Sequence, residues 1–501
     1  MISRNIQMNK LFFISALIFL YVGAWTLQNY LGFEPDTCWL LYASKFFLEG
    51  GTYTKNFFDP DPPMILYLYT PIIFLTKLFA IKLNTALRIY VFFLTSLSLG
   101  LCYFLANKIF SKRAQLPKHA FLLGIVFISL VLPMNEFGQR DHLTIILVMP
   151  YFLLIAYRLQ GYAVNSYTAI FIGLLAGLGF AIKPFFLVPF VLVEFMYMAA
   201  THDFWGWIRL EVLTIAFILF AYLAIIYIYH NEYIFVVVPF AMRRFYQAFN
   251  ATFEGVIYKS LAIFCYIMAF LCILFYKINP YRVLTGVLYV ALIGFLFSYY
   301  VQQNGWFHHI FPAYAVGILL GILLVAALVS NIHNTSLYLF IPTVIILSIV
   351  FFLFSMALLG NQYLKTQERK EYLASNKVFA FLQQNPKSDY FISDDYYYPE
   401  IEYLQIKNSS RFPFLWMMRD FYSEPANQTL AQSAQLKRDK DFLVEMIADD
   451  LKREKPQFVF VKISMQLAPD FFLTNRNFAK EWEHYHYLTT LESVVNVYQR
   501  S

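Results

Sequence analysis

The sequence predicts an α-helical polytopic membrane protein with about eleven transmembrane helices and a small C-terminal α/β domain outside the membrane. Hydrophobic residues make up 59% of the 501 residues and charged residues only 14%, so lipid solvates most of the chain. Apolar runs long enough to span a bilayer recur up to Gly360. Beyond that residue, 18 of the 38 Lys and Arg are found and long apolar runs are few.

Each predicted transmembrane helix is an apolar run that can cross about 30 Å of hydrocarbon. The runs lie at 11–30, 85–107, 119–133, 143–158, 167–182, 184–200, 208–230, 257–276, 283–300, 309–330 and 337–359. A further apolar run, residues 64–81, follows the double proline Pro62–Pro63. We predict that it is a helix on the outer membrane surface, because the basic cluster at 108–118 then falls on the cytoplasmic side.

This topology predicts a multi-pass protein of the cytoplasmic (inner) membrane, with its N-terminus in the cytoplasm and its C-terminal domain outside. The predicted domains are a transmembrane domain, residues 1–360, and a soluble α/β domain, residues 361–501. The first includes an outer acidic loop, residues 31–63, and the surface helix, residues 64–81. Within the second, the pattern predicts helices near 363–385 and 439–455 and strands at Tyr390–Ser393 and Phe458–Ile463.

The same topology places every loop that is rich in polar residues on the outer side. These loops are 34–63, 133–142, 231–256 and 302–309, together with the break at Lys183–Pro184. The cytoplasmic connections are short and carry mainly positive charge. The sequence therefore predicts that the functional surface faces outward.

Several functional classes are excluded or disfavoured. The four cysteines do not form a disulfide framework, since three of them lie in apolar segments. The net charge of +7 comes without a basic run or an aromatic-basic repeat, so nucleic acid is not a predicted partner. The chain also contains no Walker loop, HExxH, GxSxG or GxGxxG motif of the ATPase, zinc-peptidase, hydrolase or dinucleotide-binding kind.

Asp36 follows the first predicted span, with Glu34 two residues before it. A carboxylate at the boundary between lipid and water can act as a general base, accepting the proton of an attacking hydroxyl. The alternative interpretation is that Asp36 caps a helix beginning at Thr37, because Asp is a favoured residue at helix starts.

Asp59 and Asp61 flank Pro60 in the sequence FDPDPP. The prolines restrict the backbone and hold both carboxylates in an extended segment. They are candidates for binding a divalent cation, a possible cofactor, or for contacting an acceptor. They can equally be turn residues that precede a helix.

Glu136, Arg140 and Asp141 crowd the outer end of the 119–133 span. Charges at such a position are costly unless they are paired or face a cavity. Glu136 and Asp141 are candidates for orienting an acceptor or a metal ion, and Arg140 for binding a phosphate. The alternative is a structural ion pair of Arg140 with Asp141 or Glu136.

Five further basic or imidazole side chains lie at outer positions. Lys183 can face a lipid-linked phosphate or extend to the headgroups. Phosphate or sugar binding is also predicted for the pairs Arg243 and Arg244, and His308 and His309. Adjacent helical histidines point about 100° apart, so they are a weak indication of metal binding.

Together these residues resemble the GT-C class of integral-membrane glycosyltransferases, which includes the protein O-mannosyltransferases and the lipid A aminoarabinose transferase. The resemblance rests on the first span, the outer loop that opens with Asp36, the G51-T-Y53 and D59-P-D-P-P63 segments, the second acidic loop NEFGQRDH, and the C-terminal domain. Asp36 is followed by Thr37 rather than by a second acid, and Asp61 stands where a basic residue often precedes the proline motif.

The resemblance implies a donor sugar on a polyprenyl phosphate and an acceptor hydroxyl on a lipid, glycan or protein. It implies transfer by one displacement with inversion, Asp36 as the base, and Arg140, Lys183, Arg243 or Arg244 on the leaving phosphate. Two rival interpretations remain. One is a lipid-linked oligosaccharide ligase or polymerase, and the other is a non-enzymatic transporter of lipid or sugar.

Overall fold

The computed structural model describes residues 2–330, 357, 360–372, 375–392, 397, 401, 404–422, 430–463 and 472–501. The chain divides into two compact units. The first comprises Met1–Gly32, Pro62–Ile225 and Ala251–Leu364, and the second comprises Phe33–Asp61, Ile226–Asn250 and Lys365–Ser501. Most of the acidic loop thus groups with the C-terminal part of the chain. A division into residues 1–360 and 361–501 stays a prediction.

Helices dominate the described residues, as the composition predicts. In chain order they are α1 (Ile2–Leu31), α2 (Pro35–Leu48), α3 (Met64–Phe79), α4 (Leu83–Ile109), α5 (Gln115–Val126), α6 (Arg140–Leu159), α7 (Ser166–Phe180), α8 (Leu187–Thr201), α9 (Leu210–Tyr229), α10 (Val238–Phe249), α11 (Phe253–Ile257), α12 (Ser260–Leu274), α13 (Arg282–Gln302), α14 (Phe307–Ser330), α15 (Lys377–Gln384), α16 (Met417–Tyr422), α17 (Leu430–Glu454) and α18 (Arg476–Trp482). Short 3-10 helices lie at Met134–Glu136, Pro184–Phe186 and Tyr276–Ile278, and π-helical turns at Phe127–Val131 and Tyr233–Val237.

Seven helices of the described residues are long and apolar enough to cross a membrane, and four shorter apolar helices accompany them. The seven, with three of the four shorter helices, correspond to ten of the predicted spans. The remaining predicted span, 337–359, lies almost entirely outside the described residues. The multi-pass helical class is confirmed, whereas the count of eleven spans and their orientation stay predictions.

The fourth shorter apolar helix is α3, the predicted helix at residues 64–81. Its first backbone N–H, on Met64, donates a hydrogen bond of 2.9 Å to the hydroxyl oxygen of Tyr222 on α9. This bond satisfies one of the amide groups that a helix start leaves unpaired. The helix is therefore confirmed, and its placement on the membrane surface stays a prediction.

Helix α6 is the most enclosed of the seven long helices, with 89% of its apolar window buried. It packs against α4, α7 and α13. Ionised side chains on so enclosed a helix are costly unless they are paired with other groups. The Arg140 and Asp141 side chains at its first turn therefore require partners from neighbouring elements.

A close backbone approach fixes the packing of α8 on α13. A Cβ atom built on Gly294 of α13 would lie 2.8 Å from both the nitrogen and the Cβ of Pro189 on α8. Small residues let membrane helices approach each other in this way. Only glycine fits at this crossing without a shift of the Pro189 backbone.

Replacement Gly294→Ala is therefore expected to destabilise the protein by about 1–3 kcal/mol, the usual cost of overpacking a tight contact. Gly286→Ala on the same helix is the matched control, because a Cβ there meets nothing within 4 Å. Thermal unfolding in detergent should show a lower midpoint for Gly294→Ala only. Equal midpoints for the two variants would contradict this account of the crossing.

The second unit contains a four-stranded sheet in the order β1-β2-β4-β3. The strands are β1 (Tyr390–Phe391), β2 (Phe458–Lys462), β3 (Tyr485–Leu491) and β4 (Val495–Arg500). β1 pairs with β2 in parallel, and the other two pairings are antiparallel, with Phe460 opposite Val497. The strand predicted at 458–463 is confirmed over Phe458–Lys462, and the one predicted at 390–393 over Tyr390–Phe391. Ile392 is not part of a strand, and residue 393 lies outside the described residues.

The predicted helices of this region have different bounds in the structure. Residues 360–372 are helical, but α15 is a separate helix whose start is capped by the Asn376 side chain, which accepts a hydrogen bond from the Phe379 N–H. The helix predicted near 439–455 begins earlier, at Leu430. Its first turns are polar, so an apolar pattern does not reveal them.

Candidate functional site

Asp36 lies in the first turn of α2, within the second unit. The helix begins at Pro35, with Glu34 at the N-cap position and no capping bond from the Glu34 side chain. The interpretation of Asp36 as the cap of a helix that begins at Thr37 is therefore wrong, because a proline at the first helical position starts the helix earlier. Asp36 is half-buried at the positive end of the helix dipole, which stabilises a carboxylate there.

The Asp59 carboxylate accepts one hydrogen bond from α2 and one from within the acidic loop. The indole Nε1 of Trp39 donates a hydrogen bond of 2.6 Å to Asp59 Oδ2, and the Asp61 N–H donates one of 2.8 Å to Asp59 Oδ1. The Asp61 carbonyl in turn accepts a hydrogen bond of 3.0 Å from the Tyr53 hydroxyl. Both oxygens of the buried Asp59 carboxylate thus hold the proline-rich end of the loop against the helix that carries Asp36.

These acidic residues do not gather into a metal-binding group in the part of the chain that the structure describes. No set of three or more His, Cys, Asp or Glu side chains there is arranged to hold a metal ion. Ca²⁺ takes six to eight oxygen ligands, whereas Mg²⁺ keeps several waters and is often held by one or two carboxylates. A divalent cation at Asp59 and Asp61 therefore stays a prediction.

Asp141 and Lys183 form a buried ion pair in the first unit. The Lys183 Nζ lies 2.7 Å from Asp141 Oδ2, and the two side chains are 6% and 0% exposed. Lys183 also donates a hydrogen bond of 3.3 Å to Gln302 Oε1 at the end of α13. Asp141 thus pairs with Lys183, and an ion pair of Arg140 with Asp141 or Glu136 stays a prediction.

The local sequence explains how Lys183 reaches α6. Lys183 precedes Pro184 and has the extended backbone that a following proline imposes, with φ −139° and ψ 140°. Helix α7 therefore ends before it. The chain also bends sharply after α13, because Gln303 and Gly305 both have left-handed backbones. After this bend, α14 begins at Phe307.

Arg140, His308, His309 and Glu136 surround this ion pair. Arg140 is buried, and its Nε donates a hydrogen bond of 3.2 Å to Gln139 Oε1. The His308 Nδ1 lies 3.8 Å from Glu136 Oε2, and the two imidazole rings are 4.3 Å apart. His309 lies within electrostatic reach of Lys183 and Arg140. Residues from four separate segments thus form one buried polar cluster in the first unit.

Several atoms of this polar cluster make no hydrogen bond with the described residues. They are Glu136 Oε2, Gln139 Nε2, Asp141 Oδ1, Asn304 Oδ1, His308 Nε2 and His309 Nδ1. Buried polar atoms of native proteins are nearly always hydrogen-bonded, so each such atom calls for an explanation. A polar ligand with both donors and acceptors would satisfy them.

Arg243 and Arg244 lie in the second unit, on α10 rather than in the long loop predicted at 231–256. The structure replaces that loop with a π-helical turn, α10 and α11. Both guanidinium groups bind the buried Asp439 of α17, at 3.0 Å for Arg243 and 2.8 Å for Arg244. Burial alone would raise the pKa of Asp439, but hydrogen bonds from Arg243, Arg244 and Gln435 outweigh it and lower that pKa.

The sequence-predicted residues thus fall into two sets. Glu136, Arg140, Asp141, Lys183, His308 and His309 belong to the first unit, and Glu34, Asp36, Asp59, Asp61, Arg243 and Arg244 to the second. Sequence reasoning missed the amides Gln139, Asn304 and Gln302, although they stand in the polar loops it selected. It also missed Trp39 and Asp439, for which no pattern in the sequence gives a signal.

Comparison with known proteins supports the fold and not a close relationship. No protein-family model matches the chain, and no curated protein matches it. Solved structures do match. ArnT from Cupriavidus metallidurans in the apo state has a TM-score of 0.57 at 12% identity, over 96% of this chain and 97% of that one.

Two further structures are similar. ArnT from the same organism bound to undecaprenyl phosphate has a TM-score of 0.55 at 14% identity, over 97% of each chain. The Archaeoglobus fulgidus oligosaccharyltransferase in the apo form has a TM-score of 0.51 at 10% identity, over 98% of this chain and 74% of that one. These likenesses extend over nearly the whole chain, its C-terminal part included. The protein therefore shares its fold with these structures, in agreement with the fold that the resemblance predicts.

Proposed function

We propose that the protein is a membrane glycosyltransferase that moves a sugar from a polyprenyl-phosphate donor to an acceptor hydroxyl, with inversion. The observation that carries the proposal is the shared fold over 97% of both chains with an ArnT structure that contains undecaprenyl phosphate. The proposed location is the outer face of the cytoplasmic membrane. The acceptor belongs to a lipid, a glycan or a protein.

In the proposed reaction, Asp36 accepts the proton of the acceptor hydroxyl while the hydroxyl oxygen attacks the anomeric carbon of the donor sugar. The bond between that carbon and the phosphate oxygen breaks, and polyprenyl phosphate leaves with the electron pair. A carboxylate suits the first role because it takes up a proton in the transition state. Its half-buried position in the first turn of α2 leaves part of the side chain accessible.

The leaving phosphate gains negative charge, and cations placed in advance at that charge lower the barrier. We assign this role in the first unit to Arg140 and Lys183, which are buried among hydrogen-bonding groups of the polar cluster. Arg243 and Arg244 are the corresponding candidates in the second unit.

The polar cluster also supports a sugar ligand. Three of its atoms that make no hydrogen bond with the described residues, on Glu136, Asp141 and Asn304, are oxygen acceptors. A phosphate ester without protons cannot donate to them, whereas sugar hydroxyls can both donate and accept. We therefore propose that the donor sugar, along with its phosphate, contacts this cluster.

Undecaprenyl phosphate binding tests the donor class. Purified wild-type protein in detergent should bind it. Arg140→Gln should raise the dissociation constant about 10- to 100-fold, which is the effect of losing a hydrogen bond to a charged group. Lys112→Gln, at an exposed lysine between α4 and α5, is the control and should bind normally. Native mass spectrometry provides the measurement. Equal binding by the two variants would contradict the role of Arg140.

Transfer of a lipid-linked oligosaccharide is the second candidate function. The likeness to the Archaeoglobus fulgidus oligosaccharyltransferase, over 98% of this chain, favours it. The two candidates differ in the number of sugars that the donor carries. Donors that carry one sugar or several sugars, compared in one transfer assay, distinguish them by which donor is consumed faster.

A further inference from the structure

Residues 408–412, with the sequence NSSRF, form a polar segment that is almost wholly buried although it belongs to none of the proposed catalytic groups. Its Asn408, Ser410 and Arg411 are 3%, 3% and 5% exposed. Buried polar side chains are costly unless they are hydrogen-bonded. The partners of this polar segment therefore indicate what it does in the fold.

One set of partners lies in the acidic loop of the same unit. The Tyr42 hydroxyl on α2 donates a hydrogen bond of 3.0 Å to the Asn408 carbonyl and accepts one of 3.1 Å from the Asn408 N–H. The Phe58 N–H donates a bond of 2.6 Å to the Arg411 carbonyl, and the Arg411 guanidinium donates to the Thr54 carbonyl. The polar segment thus binds α2 and the loop that follows it at three separate points.

The other set of partners anchors the polar segment to the C-terminal sheet and to α17. The Asn408 side chain bonds both backbone groups of Ile392, next to β1, at 2.9 and 2.7 Å. The Arg411 Nε and backbone N–H donate bonds of 2.9 and 3.1 Å to the two oxygens of Asp450, a fully buried carboxylate. A segment held on both sides in this way has little freedom to move.

Helix α2 is consequently held along two successive turns. Trp39 bonds Asp59, and Tyr42 bonds the polar segment three residues later. Asp36, the proposed base, lies one turn before Trp39 on the same helix. Catalytic groups must be held within a fraction of an ångström of the productive geometry, and misplacement by about 1 Å can cost 10²-fold in rate.

We propose that the polar segment positions α2, and through it Asp36, so that Tyr42, Asn408 and Arg411 are positioning residues for sugar transfer. This inference rests on the proposed role of Asp36. It gives the C-terminal part of the chain a function within the proposed reaction. A domain that only bound the acceptor would not require these contacts with α2.

The variant Tyr42→Phe tests the inference, because it removes only the hydroxyl that makes two bonds to Asn408. Tyr485→Phe is the matched control. Tyr485 is equally buried, at 7% exposed, and its hydroxyl also makes two bonds, to the Pro456 carbonyl and from Arg500, away from the acidic loop. Each variant thus loses a hydroxyl and the two hydrogen bonds described for it.

We expect kcat for sugar transfer to fall about tenfold in Tyr42→Phe, with KM changed less than twofold, and to stay at the wild-type value in Tyr485→Phe. Amide hydrogen exchange in α2 should also become faster in Tyr42→Phe only. Unchanged kcat together with unchanged exchange in α2 would overturn the inference. So would an equal loss of kcat in both variants, since that indicates a general effect on stability.

Arg411→Lys provides a second variant that keeps the buried positive charge but loses the planar fork. It should reproduce the faster exchange in α2 and the lower kcat. The exchange measurement does not depend on activity, so it separates two failures. If Asp36→Asn retains activity while exchange in α2 responds to Tyr42→Phe, the proposed role of Asp36 as the base fails and the contact between the polar segment and α2 stands.

Discussion

Replacement of Asp36 with Asn is expected to lower kcat for sugar transfer by about 10²- to 10⁴-fold, the range in which a positioned general base contributes. Asn has nearly the same shape and can still form hydrogen bonds, but it cannot accept the proton of the acceptor hydroxyl. Asp36 is half-buried in the first turn of α2, so the substitution should leave the helix in place. Transfer assays in membranes, with expression matched to the wild type, measure the effect.

The control for this variant is Glu49→Gln, which removes a carboxylate at the exposed C-terminal end of the same helix. We expect its rate to lie within twofold of the wild type. An Asp36→Asn protein that keeps more than a tenth of the wild-type kcat would remove Asp36 as the base. The fold would be unaffected by that result.

Replacement of Asp141 with Asn is expected to destabilise the protein by about 3–5 kcal/mol, the usual cost of leaving one member of a buried ion pair without its partner. Asp141 is fully buried, and the Lys183 side chain that it binds is only 6% exposed. The amide still offers an oxygen to the Lys183 ammonium but no charge. Equilibrium unfolding in mixed detergent micelles gives the free energy.

Glu254→Gln is the control, because Glu254 is exposed on the short helix α11 of the same unit, and surface changes usually cost less than about 0.5 kcal/mol. The double variant Asp141→Asn/Lys183→Met should recover part of the loss, since it removes the buried charge as well. If Asp141→Asn and Glu254→Gln have the same free energy of unfolding, the ion pair does not stabilise the fold.

The sequence predicts most of the helical architecture because apolar runs report directly on burial in lipid or protein. Ten of the predicted spans correspond to apolar helices, and the double proline marks the start of α3. The sequence also predicts that Lys183 lies at a break between two helices, since a following proline disfavours the helical conformation. It does not predict the partners of Lys183, because Asp141 and Gln302 are remote in sequence.

The second unit was harder to predict for a different reason. The strand β2 is continuously apolar at its start and stands out, whereas in β3 only Tyr485 and Leu491 at its ends are buried. Tyr487 and Leu488 are exposed, so the apolar residues of this strand do not alternate with polar ones in the way that marks a half-buried strand. The contacts of α2 with residues 408–412 join segments more than 350 positions apart, which no local pattern can reveal.

The most direct test of the central claim is to follow both products of transfer by the purified wild-type protein, using a polyprenyl-phosphate donor with a labelled sugar and membrane extract as the acceptor. We predict that one polyprenyl phosphate is released for each sugar transferred, and that the anomeric configuration of the product, determined by NMR, is opposite to that of the donor. Transfer with retained configuration, or no release of polyprenyl phosphate by the wild type, would contradict a single displacement from a lipid-linked donor.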